Sequence, residues 1–218
     1  MRLNVYDMDG TIVDSTAAIR QCQIEGLQRA TGKDLSNLEK MLKENGLKGA
    51  LQQLNINQDA FFNVHYKTFD PYDSVRNGKM NVFEDMMQSI KQSPYACLIS
   101  NSIVDATQRK LDASGLGGYF KHIFAEVEKS KAKPQPYMAN QLVNAMKDKG
   151  TLGGVEDLVN VGDMPVDMEF GMVLHDVLSS ALGKNVPFRN YLIDRGCKYE
   201  TAPKGSEILR PRSGIYEF

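Results

Sequence analysis

The first short apolar segment of the chain ends in two aspartates, Asp7 and Asp9, within the sequence YDMDGTIVDS. Side chains two positions apart in a strand point to the same side, so both carboxylates would project near one point beyond the strand end. Ionisation of both neighbours is unfavourable because the two negative charges repel each other. Either a positive charge lies beside them or one of them keeps its proton. The pair therefore indicates a divalent-cation site or an acid, and a turn at Gly10 with solvated carboxylates is the alternative.

A calcium loop of the EF-hand type also begins with D-x-D, but it requires glycine at its sixth position and glutamate at its twelfth. Counted from Asp7, the glycine is the fourth residue and the twelfth is Ala18. An apolar strand-like segment, and not a helix, precedes the pair. We therefore exclude an EF-hand.

Polar residues also follow two later apolar segments: Ser100 and Asn101 end YACLISN, and Asp163 ends LVNVGD, with Asp167 four positions further on. A hydroxyl and backbone N–H groups at a strand-to-helix turn can hold phosphate oxygens, although a helix cap is the simpler explanation. Asp163 and Asp167 could both face a cation, or could cap a helix and interact with its positive end.

Lys133 precedes a proline in KAKPQPY, where Pro134 restricts the lysine to an extended backbone. Such a lysine could neutralise a phosphoryl group, and the alternative is a solvated surface lysine. Each of these signals is moderate by itself. Their order along the chain, with all but the lysine at the end of an apolar segment, makes the joint pattern strong.

Five apolar segments are predicted to be strands: 3–6, 95–99, 123–127, 158–161 and 191–193. Longer segments with helical spacing separate them, which predicts an α/β fold with a doubly wound parallel sheet and helices on both faces. Ligands of such sheets bind at the carboxyl ends of the strands. The polar residues above would therefore meet at one edge.

The connection between the first two strands is too long for one crossover helix, and residues 15–80 are predicted to form a small all-helical insertion. One helix ends at Gly32, and a second starts at the capping-box pair Ser36 and Glu39 and ends at Gly46. The segments LKGALQQL and QDAFFNVHYKTF follow. A set of helices lying on the sheet is the alternative.

The 218 residues have a formal net charge of −1, so no basic surface for nucleic acid is expected. Three widely spaced cysteines argue against a disulfide framework or a zinc site. The start MRLNVYD has no apolar stretch after a basic residue, and no segment is long enough for a membrane helix. We expect a cytoplasmic protein.

The motifs YDMDGT, LISNS, KPQP and VGDMPVD, in this order, resemble those of the haloacid dehalogenase superfamily over nearly the whole chain. The resemblance implies a Rossmann-like core in residues 1–14 and 81–218 and a helical cap in residues 15–80. It also implies a phosphatase that depends on Mg²⁺. The acid at Asp9 favours phosphate esters over the halogenated or phosphonate substrates of other branches.

The resemblance also implies the role of each motif residue. Asp7 would be the nucleophile, Asp9 the general acid and base, and Lys133 the catalytic cation. The substrate would be held by Ser100, Asn101, Gly10 and Thr11, and Mg²⁺ by Asp7, the Asp9 carbonyl, Asp163 and Asp167. Three departures touch none of these residues. Ala132 stands where glycine is common, Met80 and Asn81 stand where Pro-Gly would precede the helix at Val82, and the helix after Asp167 looks about two turns longer than usual.

Lys48, in the predicted loop ENGLKGA, is the candidate for contacting the leaving group, although a plain helix–helix turn is an equal alternative. The expected substrate is a small phosphorylated metabolite: a sugar phosphate, a phosphoglycolate-like acid or a nucleotide. A phosphomutase of the same fold and a non-catalytic binding protein are the alternatives. No membrane or duplex nucleic acid is expected as a partner.

Overall fold

The computed structural model describes residues 1–58, 61 and 69–210. The chain divides into two compact units, one made of Met1–Asp14 and Asn81–Phe218 and the other of Ser15–Met80. The strands are β1 (Arg2–Tyr6), β2 (Val13–Asp14), β3 (Asn81–Val82), β4 (Ala96–Ser100), β5 (His122–Ala125), β6 (Asp157–Gly162), β7 (Phe188–Ile193) and β8 (Glu207–Leu209). The helices are α1 (Thr16–Thr31), α2 (Leu35–Gln53), α3 (Pro71–Arg76), α4 (Glu84–Gln92), α5 (Val104–Ala113), α6 (Tyr137–Asp148), α7 (Pro165–Leu182) and a 3₁₀ turn at Leu152–Gly154.

The larger unit contains a six-stranded parallel sheet in the order β5-β4-β1-β6-β7-β8. This sheet confirms the predicted α/β fold. All five predicted strands are present, and none of their ends is shifted by more than three residues. The short strands β2, β3 and β8 were not predicted.

The side chains of β1 alternate between the two faces of the sheet, and both faces are covered by helices. Leu3 and Val5 pack into an apolar core with residues of α6 and α7. On the other face, Asn4 donates a hydrogen bond to Ser93 Oγ at the end of α4 (2.7 Å). The Tyr6 and Ser89 hydroxyls share another (3.2 Å). The sheet is therefore doubly wound.

Two buried asparagine side chains attach the first turn of α7 to the sheet. Asn160 Nδ2 donates to the carbonyl of Asp167 (3.0 Å) and to Asn190 Oδ1 (2.8 Å). Asn190 Nδ2 donates to the carbonyl of Met168 (2.9 Å). A Cβ at Gly171 would lie only 2.6 Å from both amide groups, so glycine allows the helix this close approach.

The smaller unit has its own apolar core, formed by Leu27, Leu38, Leu42, Ala50, Leu51 and Phe61. Helix α1 ends at Gly32 in the left-handed conformation (φ 66°), as predicted. Helix α2 breaks at Gly46 (φ 64°), also as predicted. Most of the predicted helix in QDAFFNVHYKTF lies outside the described residues.

Two local predictions for this unit are wrong. The N-cap of α2 is Asp34 and not Ser36, because the Asp34 carboxylate accepts the hydrogen bond from the Ser36 N–H (3.4 Å). The segment from Glu44 to Ala50 is not an extended loop, because the backbone departs from helical geometry only at Gly46, where two helical stretches of α2 meet at a kink.

The chain leaves and re-enters the larger unit through one short antiparallel pair. Val13 of β2 lies opposite Val82 of β3, and Asp14 lies opposite Asn81. Within residues 1–58, 61 and 69–210, no helix is long and apolar enough to cross a membrane. None of the three cysteines, which all lie in the described residues, forms a disulfide, and Cys22 and Cys97 are buried.

Candidate active site

The predicted site residues of the larger unit lie at the carboxyl ends of three neighbouring strands. Asp7 follows β1, Ser100 ends β4 and Asp163 follows β6. Strand β1 lies between β4 and β6, so the chain order reverses direction across the sheet at this point. A crevice for ligands opens at such a switch point.

Lys133 joins two of the predicted acids. Its ammonium group donates to Asp7 Oδ1 (2.6 Å), Asp167 Oδ1 (2.6 Å) and the Ile99 carbonyl (3.0 Å). Its side chain is only 3% exposed. Burial alone would lower the pKa of Lys133, but Asp7 and Asp167 raise that pKa above its ordinary value. Lys133 is therefore a fixed positive charge and not a surface lysine.

Asp7, Asp163 and Asp167 each offer a carboxylate oxygen, and these oxygens lie within 4.8 Å of one another. An all-oxygen set of this kind suits a hard cation such as Mg²⁺. Burial raises the pKa of Asp7 to about 8 against the opposing effect of Lys133. Burial, followed by the charge of Asp167, raises the pKa of Asp163 to about 6. The cluster holds more negative charge than Lys133 offsets, so these residues fit a divalent cation.

Gly10 and Thr11 bring the first loop against Asp163. Gly10 has φ 86°, and a Cβ at this position would collide with the Asp163 carboxylate. The fully buried Thr11 hydroxyl donates to Asp163 Oδ1 (3.3 Å). The side chain of Thr11 thus supports an acid of the cluster, and the predicted contact of these two residues with substrate stays a prediction.

Asn101 has a structural role that sequence reasoning missed. Its side chain accepts a hydrogen bond from the Lys133 N–H (2.7 Å) and donates one to the Lys133 carbonyl (3.1 Å). The loop after β4 therefore fixes the backbone of Lys133. The alternative in which Ser100 or Asn101 caps the next helix is wrong, because the N-cap of α5 is Ile103. Ser100 is buried beside Asn101, and its contact with phosphate stays a prediction.

Asp9 is not one of the three clustered acids and has a partner of its own. Both of its carboxylate oxygens accept hydrogen bonds from Lys110 Nζ, at 2.7 and 2.6 Å. Lys110 was not predicted, although the sequence contained a signal. It falls four residues after Ala106 and three after Thr107 on the buried face of α5. A charged residue at such a position requires a partner.

The loop after β7 contacts the candidate site near Asp163. The Tyr199 hydroxyl donates to the carbonyl of Asp163 (3.4 Å). The buried Asp194 carboxylate accepts hydrogen bonds from the N–H groups of Lys198 (2.8 Å) and Tyr199 (3.1 Å), which shapes this loop.

Lys48 is exposed on α2 of the other unit, and its contact with substrate stays a prediction.

Residues 4–173 match the family model described as haloacid dehalogenase-like hydrolase. The chain belongs to this family. A search of curated proteins gave no match. The matched segment includes all four motifs named above, from Asp7 to Asp167.

Solved structures resemble this chain in fold at low identity. A HAD phosphatase from Thermococcus onnurineus is 16% identical (TM-score 0.59), with 95% of this chain and 92% of that chain covered. A candidate beta-phosphoglucomutase from Thermotoga maritima is 15% identical (TM-score 0.59; 96% and 94% covered). A predicted phosphoglycolate phosphatase from Haemophilus somnus is 15% identical (TM-score 0.56; 88% and 84% covered). These likenesses establish the fold.

If the three-acid cluster binds Mg²⁺, as its ligand set predicts, its affinity for this ion should increase from pH 6 to pH 8. In the metal-free protein the pKa of Asp7 is raised to about 8 and that of Asp163 to about 6, so Asp7 carries a proton over most of this range. A cation that binds the carboxylates displaces such protons, and each displaced proton changes the apparent Kd about tenfold per pH unit. Titration calorimetry in two buffers of different ionisation heat gives both the Kd and the protons released. A Kd that is constant across the range would contradict this expectation.

Proposed function

We propose that this hydrolase cleaves a small-molecule phosphate monoester through a phosphorylated Asp7 and uses Mg²⁺ as its cofactor. The observation that carries the proposal is the position of Asp7. Its carboxylate contacts Lys133, belongs to the three-acid cluster and precedes Asp9 by two residues. Asp7 is thus the nucleophile, Lys133 the fixed cation and Asp9 the acid–base group. Covalent phosphoryl transfer requires these three parts.

In the first step a carboxylate oxygen of Asp7 attacks phosphorus and the bond from phosphorus to the ester oxygen breaks. Asp9, in its protonated form, gives its proton to the departing oxygen, which leaves as an alcohol. Lys133, 2.6 Å from Asp7 Oδ1, offsets negative charge as the phosphate approaches. The products of this step are the free alcohol and an acyl phosphate on Asp7.

In the second step water attacks the same phosphorus and Asp9, now a carboxylate, takes a proton from that water. The bond between phosphorus and Asp7 breaks, so that inorganic phosphate leaves and Asp7 is restored. Asp9 ends protonated, as it began, and each turnover consumes one water. Mg²⁺, when held by Asp7, Asp163 and Asp167, supplies charge stabilisation for the transferring phosphoryl group.

The substrate class is proposed at the level of a sugar phosphate, a phosphoglycolate-like acid or a nucleotide. We propose that the unit Ser15–Met80 is a cap that excludes water and selects the leaving group, with Lys48 as a contact for a polar or anionic one. Its independent core supports a separate module.

A phosphomutase is the second candidate, because a candidate beta-phosphoglucomutase shares the fold over nearly the whole chain. In that reaction the phosphoryl group on Asp7 passes to a hydroxyl of a second substrate instead of to water. Analysis of the products distinguishes the two reactions, since a mutase yields an isomeric phosphate ester and little inorganic phosphate.

A screen of phosphate release over a panel of phosphorylated metabolites tests the proposed function. We expect release from at least one ester in the presence of Mg²⁺ and none after chelation with EDTA. The Asp7→Asn protein gives the background from contaminating phosphatases. Absence of release from every ester, together with no binding of Mg²⁺ by calorimetry, would overturn the catalytic proposal in favour of a binding protein.

A further inference from the structure

We propose that Lys110 is a positioning residue that fixes the Asp9 carboxyl group for proton transfer to the leaving oxygen. The proposal rests on the function proposed above, because it assigns the support of the residue that moves the proton. No motif of the sequence includes Lys110, which lies ten residues beyond Ser100.

The contact between the two side chains is close and involves both oxygens. Lys110 Nζ lies 2.7 Å from Asp9 Oδ1 and 2.6 Å from Asp9 Oδ2. An ammonium ion that contacts both oxygens restrains rotation of the carboxyl group about its terminal torsion, which is otherwise broad.

The exposure of the two side chains differs in a way that suits this role. Lys110 is 4% exposed, whereas Asp9 is 27% exposed. The ammonium group is therefore a buried support, while the Asp9 side chain remains partly exposed. A buried ammonium group without a partner would be strongly unfavourable, so this pair is maintained in the folded protein.

The rigid setting of Lys110 strengthens the argument. It lies in the middle of α5, among the buried residues Ala106, Thr107 and Leu111. Asp9, in contrast, lies in the loop after β1, where the backbone turns at Gly10. A support on a helix thus holds a catalytic group on a loop, and accurate placement of such a group has a large effect on rate.

The test compares two substrates of nearly equal shape, phenyl phosphate and p-nitrophenyl phosphate. The p-nitrophenolate ion is a good leaving group and departs without a proton. The phenolate ion is more basic, so its departure depends strongly on proton donation by an acid. We measure kcat/KM with saturating Mg²⁺, because this ratio reports the steps up to the first bond cleavage. Wild type, Lys110→Met, Lys110→Arg, Asp9→Asn and the double variant Asp9→Asn/Lys110→Met are compared.

Loss of correct positioning should affect the substrate that needs the proton. We expect Lys110→Met to lower kcat/KM for both substrates to different extents. The factor of loss for phenyl phosphate should be at least about ten times the factor of loss for p-nitrophenyl phosphate. Lys110→Arg should restore part of this difference, because a guanidinium group can contact both carboxylate oxygens. In the Asp9→Asn background, Lys110→Met should add no further selectivity between the substrates.

The matched control is Arg109→Met. Arg109 is the neighbouring cation on α5 and reaches Asp105 on the helix surface (3.9 Å), so its removal should leave the ratio between substrates unchanged. If Lys110→Met lowers kcat/KM equally for both substrates, or leaves it unchanged, the positioning role of Lys110 is overturned and the proposed function still stands. Higher activity in Lys110→Met also overturns this positioning role, since Lys110 would then restrain Asp9 unproductively. Absence of hydrolysis by the wild-type protein overturns the proposed function and this inference together.

Discussion

The Asp7→Asn protein is expected to lose phosphate release almost completely, with kcat falling by about 10⁵-fold. An amide oxygen is a poor nucleophile, so the bond to phosphorus does not form. Wild-type protein quenched with acid during turnover of a ³²P-labelled ester should retain label on the polypeptide, and hydroxylamine should remove it. The variant should carry no label. Phosphate release at the wild-type rate would exclude Asp7 as the nucleophile.

The same substitution should change how stability depends on pH. In the metal-free protein the pKa of Asp7 is raised to about 8 from its ordinary value of 3.8, mainly by burial. Between these values the unfolded chain ionises Asp7 while the folded protein does not, so wild-type stability falls as the pH rises. The asparagine variant escapes this loss and should be more stable relative to wild type at pH 8 than at pH 5.

Urea denaturation in EDTA at pH 5 and pH 8 measures this difference. Asp148→Asn, at an exposed position at the end of α6, is the control and should change neither the activity nor the pH trend. A relative stability of Asp7→Asn that falls from pH 5 to pH 8 would show that the folded protein favours the ionised form of Asp7.

The alternation of strands and helices was sufficient to predict that Asp7, Ser100 and Asp163 lie at the carboxyl ends of strands in one parallel sheet. Parallel strands place their carboxyl ends at one edge, so residues that end separate strands meet there. The three-acid cluster adds Asp167, which lies one helical turn beyond Asp163. These contacts depend on the path of the backbone and require no knowledge of side-chain packing.

Other parts could not be predicted because they depend on tertiary placement. The contact between Lys110 and Asp9 joins a helix to a loop 101 residues away in sequence. The hydrogen bonds of Asn101 to the backbone of Lys133 cross 32 residues. The strands β2, β3 and β8 have only two or three residues each, too few for an alternating pattern to be recognised.

Replacement of Lys133 with methionine is expected to reduce both activity and stability. The ammonium group is the fixed positive charge beside Asp7 and Asp167, so its loss leaves two buried carboxylates without their shared partner. Removal of one partner from a buried ion pair costs about 3–5 kcal/mol. The free energy of unfolding in EDTA should fall by about this amount at pH 8.

The activity of Lys133→Met separates a catalytic role from a structural one. We expect kcat to fall by at least about 10³-fold even at saturating Mg²⁺, since the cation that accompanies the phosphoryl group is lost. If Lys133 only stabilised the fold, Mg²⁺ bound to the same carboxylates would restore most of the activity. The control is Lys131→Met, two residues away. Lys131 is on the surface beside Glu128, so both activity and stability should stay near those of the wild type.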